Sequence, residues 1–379
     1  MVPEGWQLST IEKIATVSSG GTPSRKNLSY WNGNIPWVTT AEVQFKTIFD
    51  TAEKITVDGL NNSSAKLFPK NTILMAMYGQ GKTRGQVAKL GIEATTNQAC
   101  AAILLKTGYE IDYYYQFLIS QYEHIREMSN NGGQENLSAG IVKSIQVPVP
   151  PLFEQKKIAQ ILSTWDKTIA NVEQLLANSQ QQKKALMQQL LTGNRRFPGF
   201  TGKWVSAQLR DMAKVVKGRA LSSKDLIDGE VPVIAGGKSS PYKHGHFTHE
   251  NVVTVSASGA YAGYVAYHPN KIWASDCSVV VTKEESSIGY LYQLLTLMQE
   301  KIYSLQSGGA QPHIYPKDLE SLQVIIPPKS EQEKISFVLT ICDKEIETLK
   351  QKLYYLKQEK KALMQQLLTG KRRVKVDAA

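Results

Sequence analysis

Lys183–Gly193 reads KKALMQQLLTG, and Lys360–Gly370 reads the same. Eleven identical residues recur at an offset of 177, close to half of this 379-residue chain, so one unit has been written twice. A duplicated chain is expected to fold as two related bodies with approximate internal symmetry. Each repeat is followed by a basic pair, Arg195-Arg196 and Arg372-Arg373.

The duplication reaches well beyond that run. Pro150-Pro151 with Glu154-Gln155 matches Pro327-Pro328 with Glu331-Gln332, and Asp166-Lys167 matches Asp343-Lys344, all at the same offset. Trp6, Ile11, Ala15, Val17 and Gly20 match Trp204, Leu209, Ala213, Val215 and Gly218 at an offset of 198. The fall from 198 to 177 makes the middle of the first copy longer by roughly twenty residues. The copies agree at their ends and differ between them.

Each copy has two textures. Residues 1–150 and 199–328 carry short apolar runs among Gly, Asn and Ser, such as Ile35–Val38, Ile73–Met77, Ala101–Leu105, Val252–Val255 and Ser278–Val281. These read as strands of mixed α/β globules, each followed by a short helix near Tyr113–Met128 and Ile288–Leu305. Past each Pro-Pro, apolar residues alternate at spacings of three and four. The first stripe runs through Ile158, Ile161, Trp165, Ile169, Val172, Leu176, Leu186 and Leu190, and the second from Ile335 through Leu367 in the same phase. This predicts two coiled-coil helices of about 38 residues, roughly 57 Å each at 1.5 Å per residue. Gly193 and Gly370 read as the left-handed residues that end them. An exposed stripe is costly, so the two helices are expected to pair with each other, antiparallel, with a globule at either end and a pseudo-two-fold axis.

The expected division is 1–150, first globule; 151–194, central helix; 195–328, second globule; 329–372, C-terminal helix; and 373–379, a frayed tail. The net charge is +11. It divides as +1 for 1–150, +4 for 151–198, +1 for 199–328 and +5 for 329–379. The excess thus sits with the repeated helices and points to a polyanionic partner. Three scattered cysteines without a CxxC pattern argue against a disulfide framework or zinc module. With no long apolar stretch and no leader at Met1–Thr10, the expectation is a cytoplasmic protein that does not engage a membrane.

A variable globule, then PPL-EQ-KIA-L--D, then a long helix ending in LLTG-RRFPGF-G-W, then all of it again, resembles the specificity (S) subunits of Type I restriction–modification systems. The resemblance covers essentially the whole chain. It implies an α+β architecture of two target-recognition domains separated by two long antiparallel helices, with each domain reading one half of a bipartite DNA sequence. It further implies double-stranded DNA, two methyltransferase (modification) subunits and two restriction/translocase subunits as partners. S-adenosylmethionine, ATP and Mg would then belong to those partners, with no cofactor and no metal in this chain. A non-catalytic chain is also what the residues suggest, because no amino-methylation motif and no nuclease carboxylate cluster is present.

Several segments carry candidate contacts. Ala76–Thr83 (AMYGQGKT) fits a relaxed phosphate-loop pattern, but Arg84-Gly85-Gln86 reads as a turn into a strand, where nucleotide binding requires a helix. The stronger reading gives Gln80, Lys82 and Arg84 to DNA, with Ser258 and Tyr261 at the matching place in copy two. Gln134, Asn136, Gln311 and His313, in Gly-Gly loops just before each helix, are candidate base readers. Lys243, beside His244 and His246, and the terminal arginines Arg195, Arg196, Arg372 and Arg373 are candidates for phosphate. Glu154, Gln155, Glu331 and Gln332 are candidates for partner docking or for capping amides at the helix starts. Two competing readings remain at this stage: a structural coiled-coil protein without a DNA role, and a phosphate-loop enzyme.

Overall fold

The structure, a computed structural model, describes residues 2–79, 81–128, 136–237, 242–308 and 311–375. The chain divides into two compact units. One holds the residues up to Val172 together with those from Lys352 onward, and the other is Glu173–Gln351.

In the first unit a five-stranded sheet runs in the order Ala15–Ser19, Cys100–Leu105, Ile73–Ala76, Val87–Leu90, Thr47–Ile48. Its strands Cys100–Leu105 and Ile73–Ala76 are apolar at every position because both faces are covered. Ile73, Met75, Ala101 and Ile103 join one core with Ile11, Tyr113, Tyr114 and Leu118. Leu74, Ala76, Cys100 and Ala102 join another with Val38, Phe68 and Leu90. The second unit repeats the plan with four strands, in the order Ala213–Lys217, Cys277–Thr282, Val252–Ser256, Val265–His268. Val253, Val255 and Val280 face one core, while Val252, Cys277 and Val279 face the other. The fifth strand of the first unit, Thr47–Ile48, pairs in parallel with Val87–Leu90 and lies in the longer middle of copy one. Each unit also has a three-stranded sheet, built around Trp31–Val38 or Val231–Ile234, and a two-stranded one. The expected short helices each split in two, as Ile111–Ser120 with Tyr122–Glu127 and Ile288–Leu297 with Gln299–Tyr303. In the second, the Gln299 amide explains the break. It accepts from Val265 N–H (3.1 Å) and donates to Gly263 O (2.7 Å), so the following turn is tied to the sheet.

The two long helices span Leu152–Leu190 and Lys329–Leu367. In the first unit Asp166 pairs with Lys360 and Glu154 with Arg373; in the second, Lys183 pairs with Asp343 and Arg196 with Glu331. Residue numbers rise on one helix as they fall on the other, so the segments lie antiparallel within each unit. The sequence stripe read as a pure helix–helix seam does more than that. Ile158, Leu162, Met364, Leu367 and Leu368 complete the main core of the first unit, and Met187, Leu190, Leu191, Ile335 and Leu339 that of the second. Each globule is thus closed by the start of one helix and the end of the other. Gly193 (φ +75°) and Gly370 (φ +71°) terminate the helices in the left-handed region, which lacks a Cβ penalty only for glycine. The N–H groups of Arg195 and Arg372 then satisfy the Gln189 and Gln366 carbonyls at 3.0 and 3.1 Å.

One clasp is built twice. Glu331, fully buried, accepts from Arg196 Nε (2.9 Å), Arg196 Nη2 (2.7 Å) and Trp204 Nε1 (2.9 Å). Glu154, also buried, accepts from Arg373 Nε (2.8 Å), Arg373 Nη2 and Trp6 Nε1 (3.4 Å). The remaining guanidinium contacts repeat too, Arg196 to Gly202 O and Arg373 to Glu4 O, both at 2.8 Å. Hydrogen bonding to the carboxylate holds each guanidinium above its ordinary value. Gln155 and Gln332 brace the same corner. Each accepts a backbone N–H at 2.9 Å, from Glu110 or Ser287, and donates at 2.8 Å to the carbonyl of Pro150 or Pro327.

Candidate nucleic-acid interface

The fold brings the loop residues singled out in each copy to one place. In the second unit, Ser256 N–H bonds to Tyr264 O and Gly263 N–H to Ser256 O, closing the turn between two sheet strands. The loop ahead of the last helix docks on that turn, through Gly259 N–H to Pro312 O (3.1 Å), Ile314 N–H to Ala257 O (3.0 Å) and a bridge between Ser258 and His313. Ser258, Tyr261, Gln311 and His313 therefore belong to one loop cluster. Tyr261 and Gln311 are exposed, while Ser258 and His313 are half-buried. The His313 ring stacks on Tyr315, with centroids 6.4 Å apart.

The first unit repeats the arrangement. Ala76 N–H bonds to Gln86 O, Gly85 N–H to Ala76 O, and Leu137 N–H to Met77 O, so the turn after Ile73–Ala76 lies against the segment holding Asn136. Gly85 (φ +82°) and Gly263 (φ +90°) are equivalent. A Cβ on Gly85 would press on the helix behind, 3.0 Å from Arg126 Cγ, and one on Gly263 would press on the loop residue Ile314 (2.8 Å from Cδ1) and on the helix at Tyr303 (3.0 Å from Cδ1). Lys82 is exposed at the tip. Tyr122 donates to Lys82 O, and Arg126 Nη2 to Gly81 O (2.8 Å), anchoring the turn from the helix. Gln80 and Gln134 lie outside the described residues.

Several expectations are corrected. Arg84 is buried at 7% exposure and is not presented to a ligand at the surface. The phosphate-loop reading fails because Gly81–Gly85 turns directly into the strand Val87–Leu90, so no helix N-terminus follows Lys82-Thr83 to meet a phosphate. Arg196 and Arg373 are committed to Glu331 and Glu154 and are not free for phosphate; Arg195 and Arg372 remain exposed. Glu154, Gln155, Glu331 and Gln332 are 0–2% exposed with their polar atoms engaged inside the unit, so their side chains form no docking face and do not cap their own helices. Lys243 pairs with Glu230. His244 is buried, its Nδ1 accepting from His246 N–H (2.9 Å) and its Nε2 donating to Asp225 O (3.2 Å), so it holds its loop together. His244 and Trp273 form part of a groove of about 570 Å³ whose rim carries Arg219 and Lys224. Tyr113, Tyr114 and Tyr115 are core residues.

Sequence reading missed Asp276. It lies in the second unit's loop cluster, where its carboxylate accepts from Ser258 Oγ and its carbonyl from Ala257 N–H (3.2 Å). The available signal was a polar step into a buried strand present in both copies, Asn97-Gln98-Ala99-Cys100 and Ser275-Asp276-Cys277. Among the described residues no group of three His, Cys, Asp or Glu side chains is placed to hold a metal ion, and no helix is long and apolar enough to cross a membrane.

Two units that repeat the same clasp and each present their own loop cluster are the plan of a duplicated recognition protein. The family described as Type I restriction modification DNA specificity domain matches residues 3–178 and again 201–358. The chain therefore belongs to that family, whose members are the non-catalytic recognition subunits of Type I restriction–modification systems. The MjaIX Type I restriction enzyme specificity subunit of Methanocaldococcus jannaschii is 26% identical, over 98% of this chain and 95% of that one. The EcoR124I/EcoR124II specificity subunit of Escherichia coli is 31% identical over 43% of this chain and 41% of its own length. The crystal structure of the Type I S subunit from M. genitalium shares the fold, with a TM-score of 0.72 at 17% identity over 97% of this chain and 96% of that chain.

Proposed function

We propose that this chain directs a Type I restriction–modification complex to a bipartite DNA sequence, each unit reading one half-site. The observation that carries this reading is the contrast between frame and loops. The Glu–Arg–Trp clasp, the Gln brackets and the sheet-to-turn hydrogen bonds are the same in both units, while the residues displayed by the turns differ. A constant frame with variable loops suits two readers that dock alike and select different bases.

The loops would contact base edges in the major groove, with exposed cations such as Lys82, Arg195 and Arg372 on the phosphates. Each long helix begins in one unit and ends in the other, so helix length would set the number of unread base pairs between half-sites. Methyltransferase subunits, and restriction/translocase subunits where the system has them, would assemble on the chain and supply S-adenosylmethionine, ATP and Mg chemistry in the cytoplasm.

The test is methylome sequencing of cells producing this chain with its cognate methyltransferase. The expected result is one methylated motif made of two dissimilar half-sites around a fixed unread gap. A motif without a gap, or methylation independent of this chain, would refute the proposal.

A further inference from the structure

The carboxylate of Asp276 stands where three segments of the second unit meet. Ser258 Oγ donates to its Oδ2. Gly236 lies against it, since a Cβ there would come within 3.1 Å of Oδ2. The segments are held together by Ser256 Oγ to Gly236 O (2.7 Å), Ser275 N–H to Ile234 O (2.7 Å) and Gly259 N–H to Pro312 O (3.1 Å). The carboxylate is thus aimed by a hydroxyl and left room by a glycine. Among the described residues it takes part in no ion pair; Lys183, Arg196, Lys243 and Lys350 of this unit pair instead with Asp343, Glu331, Glu230 and Glu347. Asp276 is half-buried, and its Oδ1 has no hydrogen-bond partner among the described residues.

A bare carboxylate beside a polyanion is repelled by every phosphate, so it is poorly placed for backbone contact. A deprotonated carboxylate can only accept, and the groups on a major-groove edge that can only donate are exocyclic amines. Cytosine presents N4 amino hydrogens with no acceptor of its own beside them in that groove, whereas adenine sets its N7 acceptor next to N6. Cytosine therefore suits a carboxylate better than adenine does. The first unit differs at the same backbone place. There Met77 N–H bonds to Ala99 O (2.8 Å) as Ala257 N–H bonds to Asp276 O, so alanine replaces the acid.

Building on the reading that the second unit contacts a DNA half-site, we infer that Asp276, aimed by Ser258, is a specificity-determining residue that accepts a hydrogen bond from a cytosine N4 amino group. The test expresses the full chain, Asp276→Ala and Asp276→Asn, each with the cognate methyltransferase, and compares the methylated motifs. With Asp276→Ala, one C·G pair in a single half-site should lose about tenfold or more of its discrimination. The other half-site and the gap should stay as they were. Asp276→Asn keeps the side-chain shape and an oxygen for Ser258, which guards against misfolding, and should broaden the same position toward adenine, whose N6 and N7 match an amide. The inference is overturned if Asp276→Asn methylates the original motif with unchanged stringency, if the altered position is not C·G, or if changes spread to both half-sites. Failure of the unaltered chain to direct methylation to any bipartite motif would instead overturn the reading beneath it.

Discussion

Asp343→Ala should destabilise the second unit by about 3 kcal/mol, and the estimate follows from what the carboxylate holds. Its Oδ1 accepts from Lys183 Nζ at 2.6 Å and its Oδ2 from Gln293 Nε2 at 2.7 Å, joining both long helices to the globule. Hydrogen bonds to a charged group contribute about 1.5–3 kcal/mol each, and the 36% exposure of Asp343 places the pair toward the lower end. Removing the acid strands an ammonium whose side chain is 11% exposed and a Gln293 amide that is 1% exposed and has no second partner for its Oε1 among the described residues. Lys183→Met leaves a carboxylate that water and Gln293 can still solvate, and it keeps the aliphatic stem, so it should cost only about 1 kcal/mol. The double variant should recover part of the loss, giving a coupling of about 1–2 kcal/mol. The first unit contains the same node, Asp166 with Lys360 (2.5 Å) and Gln116 (2.5 Å), and its acid is more exposed at 45%. Asp166→Ala should therefore cost less. Urea unfolding followed by circular dichroism measures all five proteins. Equal costs for Asp343→Ala and Lys183→Met, with no coupling, would refute the reasoning.

Three further outcomes are expected. Burial holds the imidazole of His268, 2.9 Å from Thr254 Oγ1, below its ordinary value of 6.5, so the unfolded chain takes up its proton first. Stability should then be lost as pH falls below about 6.5, and His268→Gln should flatten that part of a urea-midpoint profile. Burial pushes the thiols of Cys100 and Cys277 up to about 12, whereas Cys342 is half-exposed, so a native thiol titration with Ellman's reagent should label Cys342 and spare the other two until denaturant is added. Inserting four residues into each long helix adds about 6 Å, near two base-pair steps, and should change the unread gap in the methylated motif while both half-sites keep their sequences.

Much of the frame was legible in the sequence because it rests on local rules. Short continuous apolar runs marked Ile73–Ala76 and Cys277–Thr282, the three–four stripe marked both long helices, and glycine ended them. The clasp was not legible. Glu154 and Glu331 read as acids that cap the helix starts or dock a partner, because their burial depends on arginines 219 residues later in one case and 135 residues earlier in the other. The same limit hid the inward turn of Arg84 and the contribution of Leu162 and Leu339 to the globule cores. In the loops, spacing located the turns but could not rank their side chains. Asp276 gained its interest only when the structure set Ser258 and Gly236 beside it.

Exchanging residues 1–150 for the corresponding globule of another family member, followed by methylome sequencing with the cognate methyltransferase, asks most directly whether recognition is modular. The account predicts a motif with one new half-site, the other half-site unaltered and the gap retained. A motif changed in both halves, or in neither, would contradict it.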